Sequence, residues 1–197
     1  WRRLVGSLPR AGIESALRLN SERLEVVFDA CFAESLHTRL RGGSEEPLYQ
    51  PADAPGQYHI LYYREDFFAS ALHEVAHWCI AGPQRRLQPD FGYWYAPDGR
   101  SAAQQRAFER VECAPQALEW FFAKACGYRF CVSLDNLEGP AASADHERFR
   151  QMIVHRANDW QQRGLPERAA VFYRALCREF ATALRSEQLQ FTLEELR

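Results

Sequence analysis

The chain has 197 residues, 47% of them hydrophobic and 13% aromatic, enough for one substantial core and too apolar for a chain disordered throughout. Its 24 basic residues, all arginine except Lys124, are interspersed with 26 acidic ones for a formal net charge of -2, which excludes the electrostatic footprint of a nucleic-acid binder. No stretch reaches the length of a membrane span and no apolar signal core follows the start of the sequence as given, so a cytoplasmic protein with no membrane partner is expected.

In chain order, residues 1–20 are arginine-rich, with Gly6, Pro9 and Gly12, and predict a loosely ordered extension ahead of one domain over 21–197. From Ser21 the apolar positions Leu24, Val27, Phe28, Cys31, Phe32, Leu36 and Leu40 predict a long amphipathic helix stopped by Gly42-Gly43. A loop follows through Pro47 and Pro51, and His59 to Tyr63 is the best strand. Phe68, Leu72, Val75 and Ile80 then recur at helical spacing, with Asp66 as a cap and Gly82-Pro83 as the stop.

An aromatic-dense connection, Asp90 to Arg100, leads to a helix over about 101–124 that carries Phe108, Val111, Pro115, Leu118 and Phe122 on one face. Pro115 is expected to kink it. A short strand is predicted from Tyr128 to Leu134, and two more helices over about 144–163 and 166–185. The six cysteines, at 31, 79, 113, 126, 131 and 177, contain no CxxC pair and read as reduced thiols. The sum is a mostly helical α+β domain with a small sheet.

The chemistry is concentrated in His73-Glu74-Val75-Ala76-His77. On a helix, residues four apart share a face, so His73 and His77 offer two nitrogens to one cation with Glu74 beside it for proton transfer. A catalytic metal usually takes a third protein ligand and keeps open positions. Glu112 is the candidate, because it shares a face with Phe108, Pro115 and Glu119 in an apolar run where an unpaired carboxylate is costly. Glu109, one turn earlier, is the alternative ligand or a group that orients a histidine from behind. A His, His, Glu set serves both zinc hydrolases and non-haem iron oxygenases. The residues alone favour the zinc peptidase or hydrolase, whose mechanism uses the glutamate inside the motif.

A wider set of segments carries a resemblance. Pro47-Leu48-Tyr49, Pro51-Ala52-Asp53, Ala71 to Glu74, His77 to Gly82, Asp90 to Tyr95, Pro97 to Arg100, Phe108-Glu109, Val111-Glu112, Pro115 to Leu118, Asp135 to Gly139 and Pro166 to Arg168 together resemble the bacterial elongation factor P hydroxylases. The likeness covers about residues 22 to 185.

The resemblance implies an oxygenase on a metallopeptidase-like scaffold that hydroxylates the β-lysylated lysine side chain of translation elongation factor P. It implies non-haem Fe(II) as cofactor and molecular oxygen as co-substrate. His73 and His77 carry over directly as ligands, and Glu112 ahead of Glu109. In such a site Glu74 is expected as the catalytic group that delivers protons, the counterpart of its base role in a hydrolase. No run of alternating strands marks a jelly-roll barrel, so a 2-oxoglutarate requirement is not assumed. A long cationic substrate side chain calls for aromatic and acidic lining. Tyr93, Trp94 and Tyr95, with Asp90, Asp98 and Asp135, are the candidates. The zinc hydrolase stays as the alternative.

Overall fold

The structure, a computed structural model, describes residues 19–92, 102–133 and 142–196, with side chains from 104 and 145 in the last two segments. The first helix, α1 (Ser21–Leu36), opens on Asn20, whose side chain accepts a hydrogen bond from the Glu22 amide at 2.8 Å. It buries Leu24, Val27, Phe28 and Phe32.

The helix ends earlier than the apolar spacing predicts. His37 turns into the left-handed region (φ 46) and Thr38–Ser44 is a strand, β1. Thr38 and Leu40 are buried while Arg39 and Arg41 are partly exposed, the alternation of a strand that also satisfies a helical spacing over so short a window. Gly42 is no helix stop. A Cβ there would come within 2.6 Å of the Glu65 carbonyl and the Tyr63 hydroxyl, so glycine permits the close approach of β1 to its neighbour.

That neighbour is β3 (His59–Arg64), parallel to β1, with the short β2 (Leu48–Gln50) antiparallel on its other side. The order is β1-β3-β2.

Next comes α2 (Phe68–Ile80). The expected Asp66 cap is not made. Phe67 occupies the capping position and contributes no side-chain bond, while the Ser70 hydroxyl accepts from the Arg64 amide at 3.0 Å. At the other end Arg168 donates to the carbonyl oxygens of Trp78 and Cys79, each at 3.0 Å, and to that of Ala81. A guanidinium is a favourable partner for the free carbonyls of a helix C-terminus.

The remaining helices are α3 (Ala102–Cys126), which continues through Pro115, α4 (Ala142–Arg163) and α5 (Glu167–Glu179). The last is shorter than predicted, since Ala181 and Ala183 adopt positive φ. Residues 128–133 form no strand; Leu134 lies outside the described residues. Gln116 replaces the ladder with its own amide, donating to the Ser133 carbonyl at 3.2 Å and accepting from the Ser133 amide at 3.1 Å.

Glu109 meets Arg148, and further along Phe191 packs on Trp120 and accepts from Asn158 through its backbone. Helices α3 and α4 therefore run in the same direction, and the 127–133 segment doubles back along α3. The core centres on Phe28, Phe32, Trp78 and Phe172, with adjacent ring centroids 4.7 to 6.5 Å apart, the range of favourable aromatic pairs. Six cysteines are free thiols, among them the buried Cys79 and Cys113. Among the described residues no helix is long and apolar enough to cross a membrane.

Candidate metal centre

Helix α2 is held in place by the side that faces the core. Leu72, Val75, Ala76 and Trp78 are all 0% exposed, whereas His73, Glu74 and His77 are half-buried along the opposite stripe. Glu112 of α3 faces that stripe. Its two oxygens lie 3.4 Å from His73 Nε2 and 3.3 Å from His77 Nε2, and the two Nε2 atoms are 3.1 Å apart.

These separations are what a shared cation requires. Nitrogen and oxygen ligands at about 2.0–2.2 Å from a metal, subtending tetrahedral to right angles, stand about 2.9–3.5 Å from one another. The fourth member fixes the tautomer. His73 Nδ1 donates to Glu119 Oε2 at 2.8 Å, so neutral His73 turns its Nε2 lone pair toward Glu112 and His77. Carboxylate support of a ligating histidine of this kind both orients the ring and raises its basicity. Three donors within 4.8 Å of one another, with the histidine side chains still 23% and 11% exposed, fit a metal that keeps open coordination positions.

Without the cation the same groups form a charge network. Burial pushes the His73 pKa down, but the hydrogen bonds that His73 donates to Glu112 and Glu119 and the charges of those carboxylates outweigh it and hold His73 well above 6.5. For Glu112, burial acts upward and is outweighed by the His77 charge and the hydrogen bonds from both imidazoles, which hold the carboxyl well below its usual range. Burial raises Glu74 and Glu119 above the usual carboxylate value, against the lowering pull of the histidines. A carboxyl that keeps its proton more readily than usual is suited to delivering one.

Of the other sequence-predicted residues, Glu109 does not join the cluster. It pairs with Arg148 at 2.9 Å, and the histidine-orienting role expected of it is filled by Glu119 instead. Glu119 went unassigned in the sequence, although it lies on the Glu112 face seven residues on, in the same apolar run. Asp90 accepts from the Tyr49 amide at 2.8 Å and takes a left-handed φ of 48, as does Phe91 at 56, which stacks on Tyr49 at 4.4 Å. The Asp90 charge reaches Glu74 and contributes to its raised pKa. Tyr93, Trp94, Tyr95, Asp98 and Asp135 lie outside the described residues.

Comparison with known proteins identifies the family. The family described as elongation factor P hydroxylase matches residues 27–191. The chain is also 45% identical over 161 residues, 82% of its length and 89% of the relative's, to a Haemophilus influenzae protein named elongation factor P lysine hydroxylase. The family match spans the histidines of α2 and the glutamates of α3, and on these two likenesses the chain belongs to the elongation factor P hydroxylase family.

Proposed function

We propose that this protein hydroxylates a lysine side chain of translation elongation factor P, β-lysylated as the family resemblance implies, with ferrous iron held by His73, His77 and Glu112. The single observation that carries the reading is the three-donor cluster, open on one side and braced by Glu119. The name of the Haemophilus influenzae relative supports the partner and the reaction. A helix-borne HExxH beside a small sheet supports a metallopeptidase-like scaffold turned to oxidative chemistry, and a translation factor as substrate supports a cytoplasmic location.

When bound, the iron supplies the redox chemistry that activates molecular oxygen for insertion into a C–H bond. The chain's own groups do the rest. Glu119 keeps the His73 proton on Nδ1 and so keeps Nε2 free as a ligand. Glu112, depressed by its two histidines, remains an anion throughout. Insertion of one oxygen atom into the substrate returns the other as water, which consumes an electron pair from an external reductant and two protons. Glu74 passes those protons, a role supported by its raised pKa and by the electrostatic reach of both histidines. Behind it the fully buried Leu72, Val75 and Trp78 close the site to water from the core side.

The test is anaerobic reconstitution with ferrous iron or with zinc, followed by intact-mass measurement of lysylated elongation factor P after air and a reductant are admitted. The proposal requires a gain of one oxygen atom with iron alone and none in His73→Ala. Peptide cleavage by the zinc form with no oxygen gained under any reductant would replace it with the hydrolase.

A further inference from the structure

One turn of α3 carries polar groups that neither the metal donors nor their supports use. Glu109 precedes Glu112 by three residues, which places the two Cβ atoms on one face about 5–6 Å apart. Glu109 is 2% exposed. Its Oε2 accepts from Arg148 at 2.9 Å, while among the described residues Oε1 has only the Gln105 amide nitrogen at a limiting 3.5 Å.

Gln105, in turn, is 8% exposed and its Oε1 has no hydrogen-bond partner among the described residues. Nearly all buried polar atoms find a partner, so an orphan of this kind requires an explanation. Turning the amide over does not supply one, because the oxygen would then face the carboxylate. Arg148 does not supply one either. It is 45% exposed, is shared with Asp145 at 3.0 Å, and engages only the other Glu109 oxygen.

We propose that Glu109 and Gln105 form the subsite for the terminal ammonium of a long aliphatic side chain that enters the metal centre. The inference rests on the hydroxylase reading and names what that site recognises. A primary ammonium carries three donors, enough to satisfy Glu109 Oε1 and Gln105 Oε1 together. A second guanidinium gains less here, because the two-oxygen pairing that favours it is unavailable once Arg148 holds Glu109 Oε2. The spacing matters as well. Glu109 lies one helical turn and Gln105 about two turns from the metal ligand Glu112, so the atom presented to the metal is a methylene of the chain and not the charged nitrogen.

The rival account is that Glu109 and Arg148 merely brace α3 against α4, and three variants separate the two. They are assayed for hydroxylation of lysylated elongation factor P, for binding of that substrate to the metal-free protein, and for thermal melting. Glu109→Gln should raise KM about tenfold or more, the loss of one charge-assisted hydrogen bond, with kcat nearly unchanged. Arg148→Ala should not raise KM. Gln105→Leu removes the orphan oxygen and should melt higher than the parent while binding substrate more weakly, a combination that a bracing role does not produce. Equal KM shifts in Glu109→Gln and Arg148→Ala would leave only the brace. So would a Gln105→Leu protein that melts higher with unchanged substrate binding. A parent protein that binds the substrate without oxidising it would sink the hydroxylase reading while the binding data still judged the subsite.

Discussion

The two helices that make the metal centre are built to opposite rules. Helix α2 is apolar on its buried side and exposes its chemistry: His73, Glu74 and His77 occupy the stripe that solvent still reaches. Helix α3 does the reverse, burying Gln105, Glu109, Glu112, Gln116 and Glu119, at 1% to 8% exposure, along one face at alternating steps of four and three. The histidines are therefore held by the packing of their own helix, through Trp78, against Phe28 and Phe32. The carboxylates of α3 are tolerated only through partners on other elements, because a buried carboxylate alone is prohibitively expensive. Position comes from the hydrophobic core on one side of the site and from polar pairing on the other.

The sharpest way to break that contrast is to remove α3's carboxylates one at a time. Glu112→Gln should lower metal affinity by more than about a hundredfold, and Glu119→Gln by about 10–100-fold, the range seen when a histidine loses its carboxylate support. Competition against a chelator measures both. A Glu119→Gln protein that holds metal like the parent would show that the core alone orients His73.

A smaller effect belongs to α2. Arg168→Met strips the cap from the Trp78, Cys79 and Ala81 carbonyls, which should destabilise the protein by about 2–3 kcal/mol. For a chain of this size that is a fall of about 5–10 °C in melting temperature. If melting is unchanged but metal is lost, then the α2 packing does not by itself hold the histidines.

The smallest effect is the dependence on pH. In the metal-free protein His73 has its pKa raised well above 6.5, so the stability from its ion pairs is complete below about 6.5 and is lost as the pH rises through the raised value. Glu74 and Glu119, raised above 4.5 by burial, add to the same decline from lower pH. Glu112 is depressed below 4.5 and opposes it, its contribution being lost as the pH falls through the depressed value. Metal displaces the His73 proton, so affinity should climb as the pH rises while metal-free melting temperature falls. Melting curves with and without chelator over that range give the two slopes, and slopes of the same sign would contradict the network.

What the sequence disclosed follows the same division. The histidine pair, Glu74 and the extent of α2 are local patterns, readable from spacings of three and four. Glu112 was reachable because an unpaired carboxylate in an apolar run has to be explained. Strand β1 was not: Leu36 and Leu40 continue the helical spacing of α1, and only the parallel pairing of Thr38 to Arg41 with His59 to Tyr62, some twenty residues on, decides for a strand. Glu119 was missed because its partner, His73, lies 46 residues away, and Glu109 was assigned its role because the two cannot be told apart on one face of one helix without that partner. The strand expected after Tyr128 failed for a related reason, since its backbone partner is the side chain of Gln116.

That side chain also has a genetic consequence. Gln116 holds Ser133 through one donor and one acceptor at once, which among residues of its length only an uncharged amide provides. An ionised glutamate in its place cannot donate and leucine can do neither, so even the nearest acidic isostere serves the position only by taking up a proton. It lies one turn from Glu112 and binds neither metal nor proton. A survey of inactivating alleles confined to ionisable residues would pass over the amide that ties the returning chain to the ligand helix.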